Sequence, residues 1–481
     1  MVKRVLKKLI PITRSELKKF LCTAILMLAV TYIHSILHIS KDVLIISHLG
    51  TESISAIKIW TVLPTSLILM FLYIKLSDKF SRTQLFYITT WFFISYFVLF
   101  ALVLYPQREA LIIDIDSRLI SQFSSFKYLF KIISNWHYTL FYTFSEGWSV
   151  VMLSISFWQT ANHITSAEES KRFYPLFGTS AGIAKMIAGI FSTSTSNIAN
   201  ASKYSDWQST LNSITISIII AGIILTISLF SLEKIIGIDA FNFKKNFREK
   251  NTVSLTKSLG YILSSKIILL ITSLLLCYNI SLNIVEGVWK KSIEIFFISN
   301  ANRIQHFISE VEIAISIAGV IGTFIGAHTL RLIKWRTAAL ITPILVLLIG
   351  TLFFVSILFK EIAWMLTIQS SVIIIAVYLG STYNIFSRSL KYSFFDPTKE
   401  MVYIPLDDDL KTKGKAAAEI VGMRFGKGSG AFIQQGLFAM FPALTLLDLS
   451  PIIFSIFIIV SFSWFYSVFA LNRVHASIPF K

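Results

Sequence analysis

Six ionisable side chains interrupt stretches of this sequence that are otherwise apolar, and they could bind a charged molecule. They are Lys41, Glu146, Lys185, Glu286, Arg424 and Lys427. A charge at the centre of a lipid bilayer costs roughly 2.5–3.5 kcal/mol on insertion scales, so such residues normally face a protein interior or a water-filled path. We predict a central site in which Lys41, Arg424 and Lys427 bind a polyanion, with Glu146 and Glu286 as counter-charges. Lys185 is the weakest candidate. The alternative is that these residues form buried ion pairs, or that Lys41 and Glu286 extend to the outer surface.

The segment 413–435 carries two of these cations in the middle of a stretch long enough to cross a membrane once. Arg424 and Lys427 are three residues apart, so they would lie on one face of a helix. The small residues around them would let another backbone or a ligand approach closely. These are Gly422, Gly426, Gly428, Ser429 and Gly430. The segment is therefore predicted to line a pathway for an anion.

The sequence offers no pattern typical of catalysis or metal binding, so we predict neither an enzyme nor a cofactor. The Gly-Lys-Gly run at 426–428 lacks the G-x4-G-K-[ST] spacing of a phosphate-binding loop. His34 and His38 are four residues apart, but no third ligand accompanies them, so we interpret them as polar residues that face the bundle interior. Cys22 and Cys277 lie in separate apolar segments, which argues against a disulfide framework, a zinc site or a redox pair.

Aromatic and acidic residues near these positions have simpler interpretations. Tyr142 and Trp148 flank Glu146 and could stack on a base, but most aromatic residues in membranes serve packing or anchor the chain at the interface. The acidic run 407–409 is interpreted as a solvated loop.

The composition is that of a membrane protein. The chain has 481 residues, of which 54% are hydrophobic and 15% are charged, whereas soluble proteins have about 25% charged residues. The net charge of +18 is explained by a basic inner face attracted to anionic lipid, so nucleic acid is not expected as a partner. The apolar run 20–39 follows a basic N-terminus, but it exceeds the about 7–15 residues of a signal-peptide core, so we predict a retained first crossing.

Apolar stretches near the about 20 residues needed for a membrane-spanning helix recur along the chain. We predict an all-α polytopic protein with about twelve crossings, at 20–40, 57–74, 85–104, 138–158, 173–193, 211–232, 267–286, 307–329, 338–359, 362–387, 414–440 and 445–471. With both termini in the cytoplasm, the inner segments hold 30 of the 44 Lys and Arg and the outer segments hold 11. That bias agrees with the positive-inside rule and favours this topology. The outer segment 105–137 is predicted to form a surface helix or two.

The basic loop 233–266 divides the predicted crossings six and six. This layout is typical of the major facilitator fold, whose halves are repeats about an axis along the membrane normal. The run FGTSAG at 177–182 has an echo in FGKGSG at 425–430, on the fifth and eleventh crossings. We therefore predict an N-terminal half at 1–232, a linker at 233–266 and a C-terminal half at 267–481.

Several motifs in this chain resemble those of one known family. The similarity is strongest in KYSFFDPTKEMVYIPLDDDLKTKGKAAAEIVG (391–422) and GKGSGAFIQQGL (426–437). It extends to RSELKKFL (14–21), KDVLII (41–46), IKIWTVLP (57–64), LFYTFSEGWSVVMLSISFW (140–158), EESKRFYPLFG (168–178) and NIVEGVWK (283–290). In these motifs the chain is similar to the nucleotide transporters (ATP/ADP translocases) of plastids and obligate intracellular bacteria.

The resemblance implies a major-facilitator-like fold and exchange of ATP for ADP, or of a related nucleotide pair. It implies substrate-binding roles for Lys41, Glu146, Glu286 and Lys427, whose motifs match those of the family. One departure is His38, which stands where the family typically has an arginine. The absence of a transit sequence favours a bacterial inner membrane.

Exchange is also expected from charge alone. An empty site would hold cations that must stay hydrated or pair with Glu146 and Glu286, which disfavours closure without cargo, and a bound nucleotide would neutralise them. A monomer embedded in the lipid bilayer is expected. The alternatives are an ion-coupled transporter of a different nucleotide or another organic anion on the same fold, and a membrane sensor that binds nucleotide without moving it.

Overall fold

The structure is a computed structural model that describes residues 12–201, 206–237, 262, 265–365, 369–407, 410 and 414–476. Most of the predicted linker 233–266 lies outside these residues, as do Asp408 and Asp409 of the acidic run. The side chains of Arg424 and Lys427 also lie outside the described part, although their backbone positions are given.

Long helical rods account for most of the described chain, and each predicted crossing falls largely on one of them. We number them α1 (Leu17–His48), α2 (Ser53–Ser77), α3 (Arg82–Leu104), α4 (136–164), α5 (Ala167–Ala201), α6 (Gln208–Ile236), α7 (Lys266–Phe296), α8 (Ala301–Thr329), α9 (Trp335–Met365), α10 (369–403), α11 (415–440) and α12 (Ser450–Ala476). Short π-helical segments interrupt α2, α3, α4, α10 and α11. The all-α prediction is confirmed.

Among the described residues, nine of these rods are long and apolar enough to cross a membrane. The other three are α4, α10 and α11. These three carry ionisable residues of the predicted site, or of the network described below: Glu146 on α4, Arg388 on α10, and Arg424 and Lys427 on α11. These three rods thus bring charge into the bundle, as α1 and α7 also do.

Helices α1 and α7 lie at the centre of the bundle. Helix α1 packs on α4, α5 and α6, and α7 packs on α10, α11 and α12. Both helices are buried over most of their length, because apolar residues occur all around them rather than on one stripe. The start of α7 is fixed by Ser265, whose side chain accepts a hydrogen bond from the backbone N–H of Ile268.

The groups α1–α6 and α7–α12 contact each other mainly through α5 with α8, α1 with α7 and α8, and α2 with α11. We call the end where α1 begins the N-terminal end and the end where α1 stops the far end. Near the far end, the Thr51 backbone N–H donates to Glu294 Oε2 (2.7 Å), and Lys291 Nζ pairs with Glu52 Oε1 (3.1 Å). These bonds close the far end of the bundle.

Helices α5 and α8 separate toward the N-terminal end. A Cβ atom at Gly189 would lie 2.5 Å from Ile313 Cγ1, so the two helices touch closely there. Two turns nearer the N-terminal end, a Cβ atom at Gly182 would lie 3.9 Å from Val320 Cγ2. Because contact is tight toward the far end and loosens in the other direction, the bundle opens toward its N-terminal end.

The segment between α3 and α4 forms two short helices, Ser117–Gln122 and Lys127–Ser134, as predicted for a small external feature. It lies against the turn after α11. Ser125 donates to the carbonyl oxygen of Ala439 (2.9 Å), and the Tyr128 ring packs on Phe438. The segment therefore covers part of the far end.

Candidate functional site

Glycines on α11 let this helix pack closely against α7. A Cβ atom at Gly422, Gly426 or Gly430 would lie within 2.4, 2.7 and 2.5 Å of side chains of α7. These contacts explain why the three glycines are four residues apart, because positions four apart share one helix face. At Gly428 the nearest atom belongs to Phe432 of the same helix, at 3.9 Å, which is an ordinary van der Waals contact. The predicted close approach is thus a contact with α7.

Seven charged side chains form one connected chain of ion pairs, which we call the central charge network. Lys41 Nζ lies 3.1 Å from both Glu146 Oε1 and Asp42 Oδ1, and Asp42 Oδ2 lies 2.8 Å from Lys290 Nζ. Lys290 Nζ continues to Glu286 Oε1 (2.7 Å). Arg388 completes the network, with Nη2 3.3 Å from Glu286 Oε2 and Nη1 2.7 Å from Glu312 Oε1.

The network joins the two groups of helices. Glu146, Lys41 and Asp42 lie on α4 and α1, whereas Lys290, Glu286, Arg388 and Glu312 lie on α7, α10 and α8. The connection between the groups is the bond between Asp42 and Lys290, whose side chains are 4% and 5% exposed. Any motion that separates α1 from α7 must break this bond.

Glu146, at one end of the network, and Arg388, next to its other end, are more accessible than its middle. The Glu146 side chain is 29% exposed and the Arg388 side chain 20%, while the Lys41 side chain is 3% exposed. A solute can therefore contact these two side chains more readily than the middle of the network.

Equivalent positions of the two groups supply these charges. Lys41 is the 25th residue of α1, and Lys290 is the 25th residue of α7. Glu146 and Arg388 each lie three residues before a π-helical segment, Ser149–Phe157 in α4 and Lys391–Phe395 in α10. The two groups of helices therefore supply charges from corresponding positions.

Two cavities flank the Glu286–Lys290 pair. One is a small cavity between α2, α7 and α11, lined by polar groups that include Lys58, Asn283 and Gln434. Lys58 Nζ donates to Asn283 Oδ1 there (3.2 Å). The other is a small cavity between α1, α7, α8 and α10, with His38 and Arg388 in its wall. The charged pair therefore has a small space on each of two sides.

The aromatic residues beside Glu146 serve packing. Trp148 is fully buried and donates its Nε1–H to the carbonyl oxygen of Val30 (3.1 Å). Tyr142 is also fully buried, and Lys41 Nζ lies 4.1 Å from its ring centroid, which adds a cation–π attraction to the lysine's ion pairs. Both rings are unavailable for stacking on a base in this structure.

Of the predicted site residues, Lys41, Glu146 and Glu286 come together in the network. The expectation that Lys41 and Glu286 end their helices is wrong, because α1 continues to His48 and α7 to Phe296. Extension to the outer surface is wrong too, since the two residues are only 2% and 8% exposed. Lys185 lies on α5 and joins no ion pair among the described residues.

Sequence reasoning missed four members of the network: Asp42, Lys290, Arg388 and Glu312. The predicted crossings ended at 286 and 387, so Lys290 and Arg388 fell just outside them. A signal was present for three of them. Glu312 lies inside the predicted crossing 307–329, where a charge is costly. Lys290 follows Glu286 by four residues, which is the spacing of a helical ion pair, and Asp42 is adjacent to Lys41.

Of the two states expected for the cations of an empty site, hydrated or paired with glutamates, this network shows the paired one. Its three cations, Lys41, Lys290 and Arg388, all pair with carboxylates, and its four carboxylates give it a formal sum of −1. An anion that binds these cations must displace carboxylates from them. In this part of the site, unpaired positive charge therefore cannot be the reason why closure without substrate is unfavourable.

A helical bundle that crosses the membrane, opens at one end and closes at the other around buried charges is the architecture of a membrane transporter. The computed fold agrees with solved transporters at 12–13% identity. It resembles a bacterial homologue of the iron transporter ferroportin (TM-score 0.57, covering 97% of this chain and 99% of that one). It also resembles a D-xylose–proton symporter (TM-score 0.57, covering 96% and 98%). The predicted major-facilitator-like fold class is confirmed.

The chain belongs to the TLC ATP/ADP transporter family, whose model matches residues 1–475. It is 36% identical to ADP,ATP carrier protein 3 of Rickettsia bellii (strain RML369-C), over 97% of this chain and 96% of that protein. The predicted family is therefore confirmed. The protein is a multi-pass membrane transporter and not an enzyme.

Proposed function

We propose that the protein exchanges nucleotides across the membrane, ATP for ADP or a related pair, by alternating access. The observation that carries this proposal is the central charge network, which links the two groups of helices and borders the open N-terminal end. The membership of the chain in a family of ATP/ADP transporters supplies the substrate class.

The proposed substrate site comprises Lys41, Glu146, Glu286, Arg424 and Lys427, to which the network adds Lys290 and Arg388. Position 427 lies beside Gly426, which packs on Asn279 of α7, seven residues before Glu286. Seven residues of helix rise about 10 Å, so the phosphates of a nucleotide would lie between Lys427 and the network. Arg424 and Lys427 would change the formal sum of the site from −1 to +1, which favours an anion.

The two groups of helices act as the two halves of the transporter, 1–232 and 267–481, joined by the linker 233–266. In this proposal the N-terminal end is cytoplasmic, both termini lie inside, and the membrane is a bacterial inner membrane. The described state is then open to the cytoplasm. A monomer surrounded by lipid suffices, because every proposed ligand comes from one chain.

Reconstitution tests the activity directly. Uptake of labelled ATP is measured into vesicles with and without internal ADP, and a panel of unlabelled nucleotides competes for uptake. We expect internal nucleotide to accelerate uptake strongly and nucleotides to compete better than other organic anions. Equal uptake into empty and loaded vesicles would contradict exchange. Uptake that a pH gradient drives into vesicles without a counter-substrate would instead support ion-coupled transport, and binding without uptake would support a sensor.

The site assignment is tested with Lys427→Gln. A hydrogen bond to a charged group contributes about 1.5–3 kcal/mol, so we expect transport efficiency to fall by roughly tenfold or more. Lys185→Gln is the matched control, because Lys185 also lies inside a long helix but away from the network. Normal transport by the Lys427 variant would refute its role as a phosphate ligand.

A further inference from the structure

Within the central charge network, the bond between Asp42 and Lys290 is the contact that crosses between the two groups of helices. It joins α1 to α7 at 2.8 Å, and it is buried. Both partners also have a second ion pair that does not cross between the groups: Asp42 with Lys41 (3.1 Å) and Lys290 with Glu286 (2.7 Å). The bond can therefore open without leaving either residue alone in an apolar environment.

We propose that the Asp42–Lys290 bond is a lock that a bound nucleotide releases, so that Asp42 makes exchange obligatory. This inference rests on the proposed function. Without nucleotide, the lock holds the far ends of α1 and α7 together, and the empty transporter stays open only to the N-terminal end. With nucleotide, the lock is released and the far end can open.

Competition for one ammonium group explains the release. The phosphates of a nucleotide are strong acceptors for lysine, as is the carboxylate of Asp42. A phosphate that binds Lys290 takes the place of Asp42 and also repels its negative charge. Asp42 then keeps Lys41 as its partner. The bond between the two groups of helices is thereby exchanged for bonds to the substrate.

Other contacts at the far end do not respond in this way. Thr51 with Glu294, and Lys291 with Glu52, lie beyond the network as seen from the open end, where an entering nucleotide does not reach them. They favour the closed far end whether or not substrate is bound. The Asp42–Lys290 bond belongs to the network that the substrate reaches. It is therefore the contact that can break when a substrate binds.

The test uses the full-length protein in right-side-out vesicles, in which external ATP meets the far end. Labelled ATP uptake is measured with and without internal ADP, for the wild type and for Asp42→Asn. This variant keeps the shape of the side chain, and Lys41 and Lys290 keep Glu146 and Glu286 as partners. We expect uptake into empty vesicles to rise about tenfold, which corresponds to about 1.4 kcal/mol, while exchange into loaded vesicles persists.

Glu16→Gln is the control, because Glu16 pairs with Arg172 within α1–α6, at the N-terminal end. It should leave uptake into empty vesicles unchanged. Asp42→Asn uptake that still depends on internal ADP as strongly as the wild type does would overturn the lock. Wild-type uptake that does not depend on internal ADP would contradict the proposed exchange itself, so the two failures are distinguishable.

If Asp42→Asn transports nothing, the accessibility of the far end to a labelling reagent tests the lock instead. A cysteine replaces Ile54, which is 5% exposed at the far end, in a background without Cys22 and Cys277. It is then treated from outside with an impermeant maleimide in the absence of nucleotide. Faster labelling in the Asp42→Asn background than in the wild-type background supports the lock, and equal labelling overturns it.

Discussion

Replacing Lys290 with glutamine should destabilise the fold strongly, because this one ammonium group holds two buried carboxylates. Its side chain is 5% exposed, and it lies 2.8 Å from Asp42 and 2.7 Å from Glu286. The change would move the formal sum of the network from −1 to −2. Asp42 would keep Lys41, and Glu286 would keep Arg388.

The expected loss in the free energy of unfolding follows from the number of cations that each carboxylate keeps. Removal of one partner from a buried ion pair typically costs about 3–5 kcal/mol. Because each carboxylate keeps a second cation, we expect a loss of about 3 kcal/mol in the free energy of unfolding. Adding Asp42→Asn removes one of the two carboxylates that lost Lys290 as a partner and returns the sum to −1. The double variant should therefore be more stable than the sum of the single effects predicts, by about 1.5–3 kcal/mol.

The assay is reversible unfolding of the purified protein in mixed micelles by titration with a denaturing detergent. The four proteins of the cycle are measured together with Lys185→Gln, which should lose less than about 1 kcal/mol. Two results would refute the reasoning. One is a Lys290→Gln protein as stable as the wild type, and the other is additivity of the two changes within about 0.5 kcal/mol.

Two further predictions concern other parts of the chain. Gly426→Val should destabilise the protein by about 1–3 kcal/mol, because a Cβ atom there would lie 2.7 Å from Asn279. Gly428→Ala should be tolerated, since its nearest neighbour is 3.9 Å away, and the same unfolding assay compares the two. The hydrogen bond from Arg172 lowers the pKa of Glu16 to about 2, from an ordinary value of 4.5. The stabilising effect of this depressed pKa is complete above about pH 4.5 and is lost as the pH falls toward 2, so the Tm difference between wild type and Glu16→Gln should be constant from pH 7 to 5 and shrink below that range. A difference that disappears near pH 6 would contradict this assignment.

The sequence by itself determined the class of the protein, its helices and its family. Long apolar runs must become helices in a bilayer, because a backbone without water has to satisfy its hydrogen bonds internally. The cost of buried charge identified Lys41, Glu146 and Glu286, and the structure brings these three together. The motifs around them were specific enough to name the family.

Only the tertiary structure decided which charges neutralise each other. Helix ends are poorly defined by hydropathy, so Lys290 and Arg388 fell outside the predicted crossings, although α7 and α10 carry them into the core. Asp42 and Lys290 are 248 residues apart in the chain. A bond over that separation depends on how α1 and α7 pack, and no local pattern encodes it. The packing therefore turned a set of isolated charges into one network that joins the two groups of helices.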